Sequence, residues 1–488
     1  MLNITFVYPD FENLGVEYLM AVCKEKGFNV NFIFYYADDP YTRVKKCVDY
    51  RRIAQNVINT KPDVVVFSCI TDNYLHQLNC AREIKKISPK IFTVFGGIHV
   101  TAVWKKVISK EEVDCVSIGE GEISLPEFLL SCLENGGFSI PEKSFNGIVF
   151  KNGNRILGEP EKVSAAELDS IPFPEKDLFY QAMGFYPKEY YIITSRGCPY
   201  RCSYCYNSIF DNQKFRRRSV ENVIEELVWA KKRFKIEYVH FCDDSFTTDF
   251  SWLERFCEVY KDKVNLPFLC SANPLLINYN VAKCLKQAGC VDVQIGVQSL
   301  SEKICRNILL RPLDKERIKY AITVLKEAGM MVQADHMLGI PDDTVEEEEK
   351  AIEFYNEVRP NLISVFWLTY YPGTKIIEIA KQKGLLTEKD VEKIEEGYAL
   401  TEGNMHSGGS MKHPEKYYAV AFLLNYLPLL PKRAVNFLVK TGFYRVLKIK
   451  SYFLSTVIMR VILSFFDRRY FTGRGHILRF LKRLVTLA

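Results

Sequence analysis

The chain runs twice through one pattern, short runs rich in Val, Ile and Phe alternating with amphipathic helical stretches. Strands separated by helices pair in parallel and are buried on both faces, so few folds remain open to such a sequence. In the first series the strand runs are Asn3–Tyr8, Asn29–Tyr35, Asp63–Cys69, Ile91–Phe95 and Asp114–Ile118. Helical patterns lie between them at Gly15–Lys26, Val44–Asn59, Tyr74–Ile87 and Ser124–Glu134. This predicts a flavodoxin-like, doubly wound parallel sheet over residues 1–137, with its ligand outside the carboxyl ends of the strands. Glycines gather at those ends: Gly15, Gly96, Gly97, Gly119 and Gly121.

Residues 138–187 read as a linker. It holds a hairpin-like patch, Asn146–Ile156, turning at Asn152-Gly153-Asn154, and a proline-punctuated strap, Leu168–Pro174. A second series fills 188–403, with strands at Tyr190–Ser195, Tyr238–Cys242, Phe268–Ala272, Val291–Val297, Val332–Leu338 and Ile363–Thr369. Its clearest helices are Val220–Phe234, Asp314–Ala328 and Val345–Val358, and Asp314 and Thr344 are expected helix caps. Six strand–helix repeats predict a partial (β/α)6 barrel with its chemistry at the strand C-termini. A mainly helical region, 404–488, follows.

Chemistry is concentrated in Gly197-Cys-Pro-Tyr-Arg-Cys-Ser-Tyr-Cys-Tyr-Asn207, directly after the first strand of the second series. Cys198, Cys202 and Cys205 put three thiolates on one loop. Zinc sites usually pair two C-x2-C units or add histidines, and no second unit exists here. A cubane iron–sulfur cluster normally takes four cysteines, so three leave one iron open to another ligand. The C-x3-C-x2-C spacing, with Tyr204 just before the third cysteine, resembles the radical S-adenosylmethionine enzymes. That resemblance implies a 4Fe-4S cluster on Cys198, Cys202 and Cys205. The open iron would hold S-adenosylmethionine, cleaved by one electron to a deoxyadenosyl radical, and flavodoxin or ferredoxin would supply the electron.

The resemblance continues along the barrel. Asp243 and Asp244, after the second strand, match the acidic motif that meets the amino group of S-adenosylmethionine. Ser271, Gln298 and Ser299 stand where relatives hold its ribose and carboxylate. Gly339-Ile-Pro341-Asp-Asp-Thr344 is similar to the turn beside the adenine. Cys242, Cys270 and Cys290, near the mouth, are expected to be packing residues.

The first series resembles the cobalamin-binding domain that precedes one branch of this family. The likeness rests on Phe95-Gly-Gly-Ile-His-Val-Thr101, Ile118-Gly-Glu-Gly-Glu122 and Ser68, and it implies cobalamin contacts at Gly15, Ser68, Gly96, Gly97, Gly119, Glu120 and Gly121. Many cobalamin domains carry D-x-H-x-x-G after the first strand, and the His ligates cobalt. Here the frame is Asp10-Phe-Glu-Asn-Leu-Gly15, with Glu12 in place of the His. The resemblance therefore implies cobalamin without a protein imidazole, and His99 is expected to be a loop contact.

Charge is uneven. Residues 431–488 carry 13 Lys or Arg and one acid, Asp467, giving +12 within a total of +6, and the first 430 residues carry −6. The apolar runs Tyr452–Phe466 and Ile477–Val485 suggest a membrane span, but they are too short, and Arg460 interrupts the first. Three readings stay open for 431–488: peripheral contact with an anionic membrane, docking helices that cover the barrel, and, least favoured, nucleic acid. The 15 cysteines are an odd number and mostly scattered, as at Cys23, Cys115 and Cys284; with no secretory signal, they point to a reducing cytoplasm.

The expected activity is a cobalamin-dependent radical enzyme that methylates an unactivated carbon. Radical ring formation or rearrangement of a lipid, tetrapyrrole or metabolite is the alternative. A methylthiotransferase would need three more clustered cysteines, and Cys23, Cys47, Cys69 and Cys80 are too scattered. A cobalamin or redox sensor would not need the S-adenosylmethionine motifs. The substrate is not written in these motifs, although a membrane-facing tail would suit a hydrophobic one.

Overall fold

The structure, a computed structural model of the chain, describes residues 2–37, 48–133, 138–165, 167–210, 214–312, 314–398, 415–446 and Met459. These divide into two compact units. One holds residues 1–187 with 204–218 and 370–405, and the other holds 188–203, 219–369 and 406–488.

The first unit is built on a sheet of order β2-β1-β3-β4-β5-β6-β7. Strands β1 (Asn3–Pro9), β2 (Asn29–Tyr35), β3 (Val64–Ser68), β4 (Phe92–Gly96) and β5 (Cys115–Ser117) are parallel. Helices α1 (Leu14–Glu25), α2 (Tyr50–Asn59), α3 (Tyr74–Ile87), α4 (Ile98–Ile108) and α5 (Gly121–Ser131) connect or follow them. The two-residue period of the strands feeds two cores. Ile4, Phe6, Val64 and Val66 pack with Phe128 and Leu129 of α5 on one face. Val7, Val65, Phe67 and Phe95 pack with Val57, Leu78 and Ile84 on the other. The strand order reverses between β1 and β3, the switch point beyond whose strand C-termini sheets of this kind bind ligands.

Three features of this unit differ from the sequence expectation. The hairpin placed in the linker, β6 (Ile148–Asn152) and β7 (Arg155–Glu159), joins the sheet antiparallel to β5. Residues 98–108, expected to begin as a loop, form α4, because Gly97 at φ +91 turns the chain directly into a helix. The strap ends in α6 (Lys176–Met183), whose Phe179 enters the first core.

Strands β9 (Ser195–Arg196) and β10 (Arg216–Arg217) are two-residue segments on either side of the cysteine loop. The second sheet is β8 (Glu189–Ile192), β11 (Tyr238–Phe241), β12 (Phe268–Ala272), β13 (Cys290–Gln298), β14 (Met331–Leu338) and β15 (Leu362–Trp367), all parallel and adjacent in chain order. This is the expected six-stranded open barrel. Its helices are α7 (Val220–Arg233), α8 (Phe250–Lys263), α9 (Tyr279–Ala288), the single turn α10 (Glu302–Ile304), α11 (Lys315–Glu327) and α12 (Val345–Val358). The side chains of Asp314 and Thr344 cap α11 and α12 as expected. After β15 the chain forms α13 (Lys375–Gln382) and α14 (Glu388–Glu395) in the first unit, then α15 (Glu415–Tyr426) and α16 (Lys432–Thr441) in the second.

The described part of the C-terminal region docks on the barrel. Trp367 of β15 meets Tyr417 and Tyr418 of α15. Arg359 donates to the carbonyls of Leu427 (2.5 Å) and Leu430. Asn356 donates to Asn436, and Tyr444 to Glu349. Met459 is buried against Met331 and Leu362. Docking therefore describes residues 431–446, while the runs Tyr452–Phe466 and Ile477–Val485 lie outside the described residues apart from Met459. No helix among the described residues is long and apolar enough to cross a membrane.

Candidate functional site

The cysteine loop leaves β9 through Gly197, at φ +79. Cys202 is buried, and Cys198 and Cys205 are half-buried; all three are free thiols. Ser203 ties the loop down, its N–H donating to the carbonyl of Leu309 (2.9 Å) and its hydroxyl to that of Ile308 (2.5 Å). That anchor carries Arg311, whose Nη1 lies 3.8 Å from Cys202 Sγ and whose Nη2 donates to the Gly296 carbonyl. Asn207 Nδ2 lies 3.7 Å from Cys205 Sγ. A cationic and an amide N–H beside cysteine sulfurs suit thiolates that carry negative charge on a metal cluster. Burial raises the Cys198 thiol pKa, partly offset by the Tyr200 main chain. The donors beside Cys202 and Cys205 suit thiolate ligands, although among the described residues no three His, Cys, Asp or Glu side chains are gathered at metal-binding spacing. Arg311 was not anticipated from the sequence, because its partners lie 15 and 109 residues away.

At the other strand ends the expected residues take unequal roles. Asp243 is buried, and its carboxylate accepts from Thr194 N (3.2 Å), Thr194 Oγ1 (2.7 Å) and Ser195 Oγ, fastening the end of β11 to that of β8. Asp244 is exposed and close enough to Cys198 to raise its pKa further. Of the two acids, Asp244 is the better placed for a cationic amino group. Tyr204 is half-buried. Ser271 pairs in register with Gln294, which donates to both carboxylate oxygens of Asp335 (2.9 and 2.8 Å), and Asp335 pairs with Ser364. This polar row across four strands was also not anticipated, since each residue alone looks like an ordinary strand position.

Gln298 sits at φ +69, a conformation a side-chain-bearing residue adopts only when its surroundings impose it. Ser299 is buried, and its hydroxyl accepts from Ser301 N at 3.2 Å. Gly339 N donates to Asp343 Oδ2 at 3.3 Å, and Pro341 is buried. Burial and the neighbouring Glu348 push the Asp343 carboxyl up to about 9. Cys270 and Cys290 are buried packing residues, as expected, and Cys242 is half-buried.

In the first unit the loops after β1, β3, β4 and β5 interlock. Asp10 Oδ1 accepts from Ala37 N (2.8 Å), so this acid holds the end of β2. Glu12, at the position of the missing His, is paired with Lys176 of α6 at 2.5 Å and accepts from Tyr180 at 3.1 Å; Glu17 meets Lys176 at 2.8 Å. Cys69 N donates to the Gly96 carbonyl (2.7 Å) and His99 N to that of Cys69 (3.1 Å). The Ser68 carbonyl accepts from Gln77 at 2.7 Å.

The glycines are needed first by the protein itself. A Cβ on Gly97 would stand 2.6 Å from the Cys69 carbonyl oxygen, and one on Gly119 2.4 Å from that of Val163 in the linker. At Gly121 it would meet Leu19 at 3.1 Å and at the exposed Gly15 Asn13 Oδ1 at 3.2 Å, whereas Gly96 has more room. Glu120 is engaged by Arg216 (2.5 and 2.9 Å) and by Ala165 N (2.7 Å).

His99 contacts the loop after β3 from a helix rather than from a loop. It lies in the first turn of α4, fully buried, stacked on Tyr74 at 4.3 Å with Nδ1 3.1 Å from Thr71 Oγ1. Burial holds its pKa down to about 3, against an opposing pull from the Glu395 main chain, so the ring is neutral. Around the same strand ends, Tyr35 Oη, Asp72 Oδ1, Asn73 Nδ2 and Ser117 Oγ are buried without a hydrogen-bond partner. Orphaned polar atoms at a switch point fit a large, amide-rich cofactor such as cobalamin.

Two family models match the chain. Residues 2–129 match the B12 binding domain and residues 192–355 the radical SAM superfamily. An uncharacterised methyltransferase, PH0819, of Pyrococcus horikoshii is 29% identical over 381 residues, 76% of this chain and 79% of that protein. The cytidylyl-2-hydroxyethylphosphonate methyltransferase of Streptomyces wedmorensis is 24% identical over 430 residues, covering 77% and 79%. The fold is shared with the radical S-adenosylmethionine methyltransferase TsrM of Kitasatospora setae, solved with cobalamin and a [4Fe-4S] cluster bound. The TM-score is 0.64 at 16% identity, over 78% of this chain and 75% of that one.

Proposed function

The chain belongs to the cobalamin-dependent radical S-adenosylmethionine enzymes, and from that premise we propose that it methylates an unactivated carbon of its substrate. The observation that carries this reading is the pairing of a B12 binding domain with a three-cysteine barrel in a chain with two relatives, the Pyrococcus and Streptomyces proteins above, that are named methyltransferases. When bound, the cluster supplies the electron that cleaves S-adenosylmethionine, and cobalamin supplies the methyl group. The protein's residues bind and orient. Cys198, Cys202 and Cys205 hold the cluster, and Arg311 offsets its negative charge. Asp244 is assigned to the amino group of S-adenosylmethionine, Ser271, Gln298 and Ser299 to its ribose and carboxylate, and the Gly339–Thr344 turn to its adenine. Ser68, Gly96 and the orphaned polar atoms of the first unit are assigned to cobalamin. Glu12 is committed to Lys176 and His99 to Thr71, so neither is assigned to cobalt.

A peripheral membrane contact belongs to the same reading. Phe437 and Phe443 are 62% and 58% exposed beside the exposed Lys432, Arg433 and Lys440, and the chain beyond them is strongly basic. Such a face suits an anionic interface and a hydrophobic substrate drawn from it.

Anaerobic incubation with S-adenosylmethionine, reductant and hydroxocobalamin, fed lipid and metabolite extracts, tests the activity. Deoxyadenosine, S-adenosylhomocysteine and a product 14 mass units heavier than its substrate are expected together. Deoxyadenosine with a product of unchanged carbon count would favour ring formation or rearrangement instead.

A further inference from the structure

We propose that Tyr206 is a positioning residue that couples cluster assembly at Cys205 to cobalamin binding, through hydrogen bonds to Thr71 and on to His99; the inference rests on the cofactor reading above. Tyr206 directly follows Cys205 and opens the short turn Tyr206–Ile209. That turn grips the cysteine, because Ser208 N (2.9 Å) and Ser208 Oγ (2.6 Å) both donate to the Cys205 carbonyl. Movement of Cys205 is therefore transmitted to Tyr206. The Tyr206 hydroxyl meets Thr71 Oγ1 in the loop after β3, and Thr71 Oγ1 lies 3.1 Å from His99 Nδ1. The Tyr206 ring packs on Tyr371 at 4.6 Å. All these residues lie in the first unit.

Thr71 and His99 are buried, and the neutral imidazole has one nitrogen that donates and one that accepts. The Thr71 hydroxyl donates to one neighbour and accepts from the other, so the relay is complete in either sense. Thr71 lies between Ser68 and the orphaned Asp72 and Asn73, and His99 follows Gly96-Gly97. The loop after β3 is thus hydrogen-bonded to the turn that holds the third cysteine, and α4 reaches that turn through Thr71. Occupying either site orders a network that the other also needs.

The test uses the full chain, freed of cobalamin and prepared anaerobically with and without its cluster. Hydroxocobalamin is titrated into each form, with iron counted in every sample. The native protein should bind cobalamin about fivefold more tightly with the cluster in place, the worth of roughly one buried hydrogen bond. Tyr206→Phe and Thr71→Val should abolish the gain, and Thr71→Ser, which keeps the hydroxyl, should retain it. Thr71→Val carries the test if Tyr206→Phe fails to take up iron, because residue 71 is remote in sequence from the cysteines. Equal affinity in the two native forms, or an undiminished gain in both hydroxyl-free variants, would overturn the coupling. A native protein that ignores hydroxocobalamin would overturn the cofactor reading and this inference with it.

Discussion

Replacing Lys176 by Met should be among the most damaging single changes outside the cofactor sites. Lys176 and Glu17 are fully buried and Glu12 nearly so, with side-chain exposures of 0%, 0% and 6%. Burial alone would lower the lysine pKa, but Glu12 and Glu17 outweigh it and raise it well above the ordinary value. The ammonium is thus charged throughout the neutral range. Its contribution is lost only as pH climbs through that raised folded-state value. Met keeps the length and apolar stem and removes only the charge, leaving two carboxylates facing each other without a cation. Breaking a buried pair in this way costs about 3–5 kcal/mol, against about 0–1 kcal/mol for an exposed one. For a unit of this size that corresponds to a fall in Tm of roughly 6–20 °C. Thermal and denaturant unfolding at pH 8 measure it. Glu12→Gln combined with Lys176→Met should recover part of the loss. A fall below about 1 kcal/mol, the range of a solvated pair, would refute the burial of this triad. Weaker cobalamin binding should accompany the destabilisation, since the triad pins α6 to the loop after β1.

Anaerobically reconstituted protein should carry about four irons, and Cys202→Ala should lose both the cluster absorbance and deoxyadenosine formation; turnover in that variant would defeat the radical reading. Gly97→Ala forces a Cβ to within 2.6 Å of the Cys69 carbonyl oxygen at φ +91. It should lower Tm even in cobalamin-free protein, whereas a glycine needed only by the corrin would leave that Tm unchanged. Asp343 keeps its proton up to about 9, against an ordinary 3.8. Folding therefore takes up a proton between these values, and stability falls as pH rises through that window, by up to about 1.4 kcal/mol per pH unit. Asp343→Asn should flatten the slope, gaining on the native protein at pH 8 and matching it near pH 4, as unfolding titrations will read. Phe437→Glu with Phe443→Glu should weaken binding to anionic vesicles at low salt without changing iron content; unchanged binding would remove α16 from the membrane face.

What the sequence disclosed depended on distance along the chain. Strands, helix caps and the cysteine triad are written in adjacent residues, and Asp314 and Thr344 cap as their neighbours implied. The ligand-bearing ends of the strands were recognisable because glycines and acids gather there. Partnerships across the fold were not. Asp243 matched a cofactor motif, yet its carboxylate is bonded to Thr194 and Ser195, 49 and 48 residues away. Glu120 matched a cobalamin loop and meets Arg216, 96 residues away. Gly97 and Gly119 were singled out as cobalamin contacts, but a sequence cannot say whether ligand or backbone occupies the space beside a glycine, and here backbone does. The hairpin was placed in the linker because nothing local shows that β5 offers a free edge for it.

The barrel is open, so β15 ends its sheet with a row of backbone groups that another chain could extend. Helix α15 packs against that strand through Trp367, Tyr417 and Tyr418. In an intact chain this denies the edge to a neighbouring molecule, much as charged residues and bulges guard the edges of other sheets. A product ending near residue 398 would keep every cofactor motif yet expose an adhesive border, so it should accumulate as oligomers rather than as soluble monomers. Fragments made for crystallisation or expression are better ended beyond Val446, where the docked helices stay with the strand they shield.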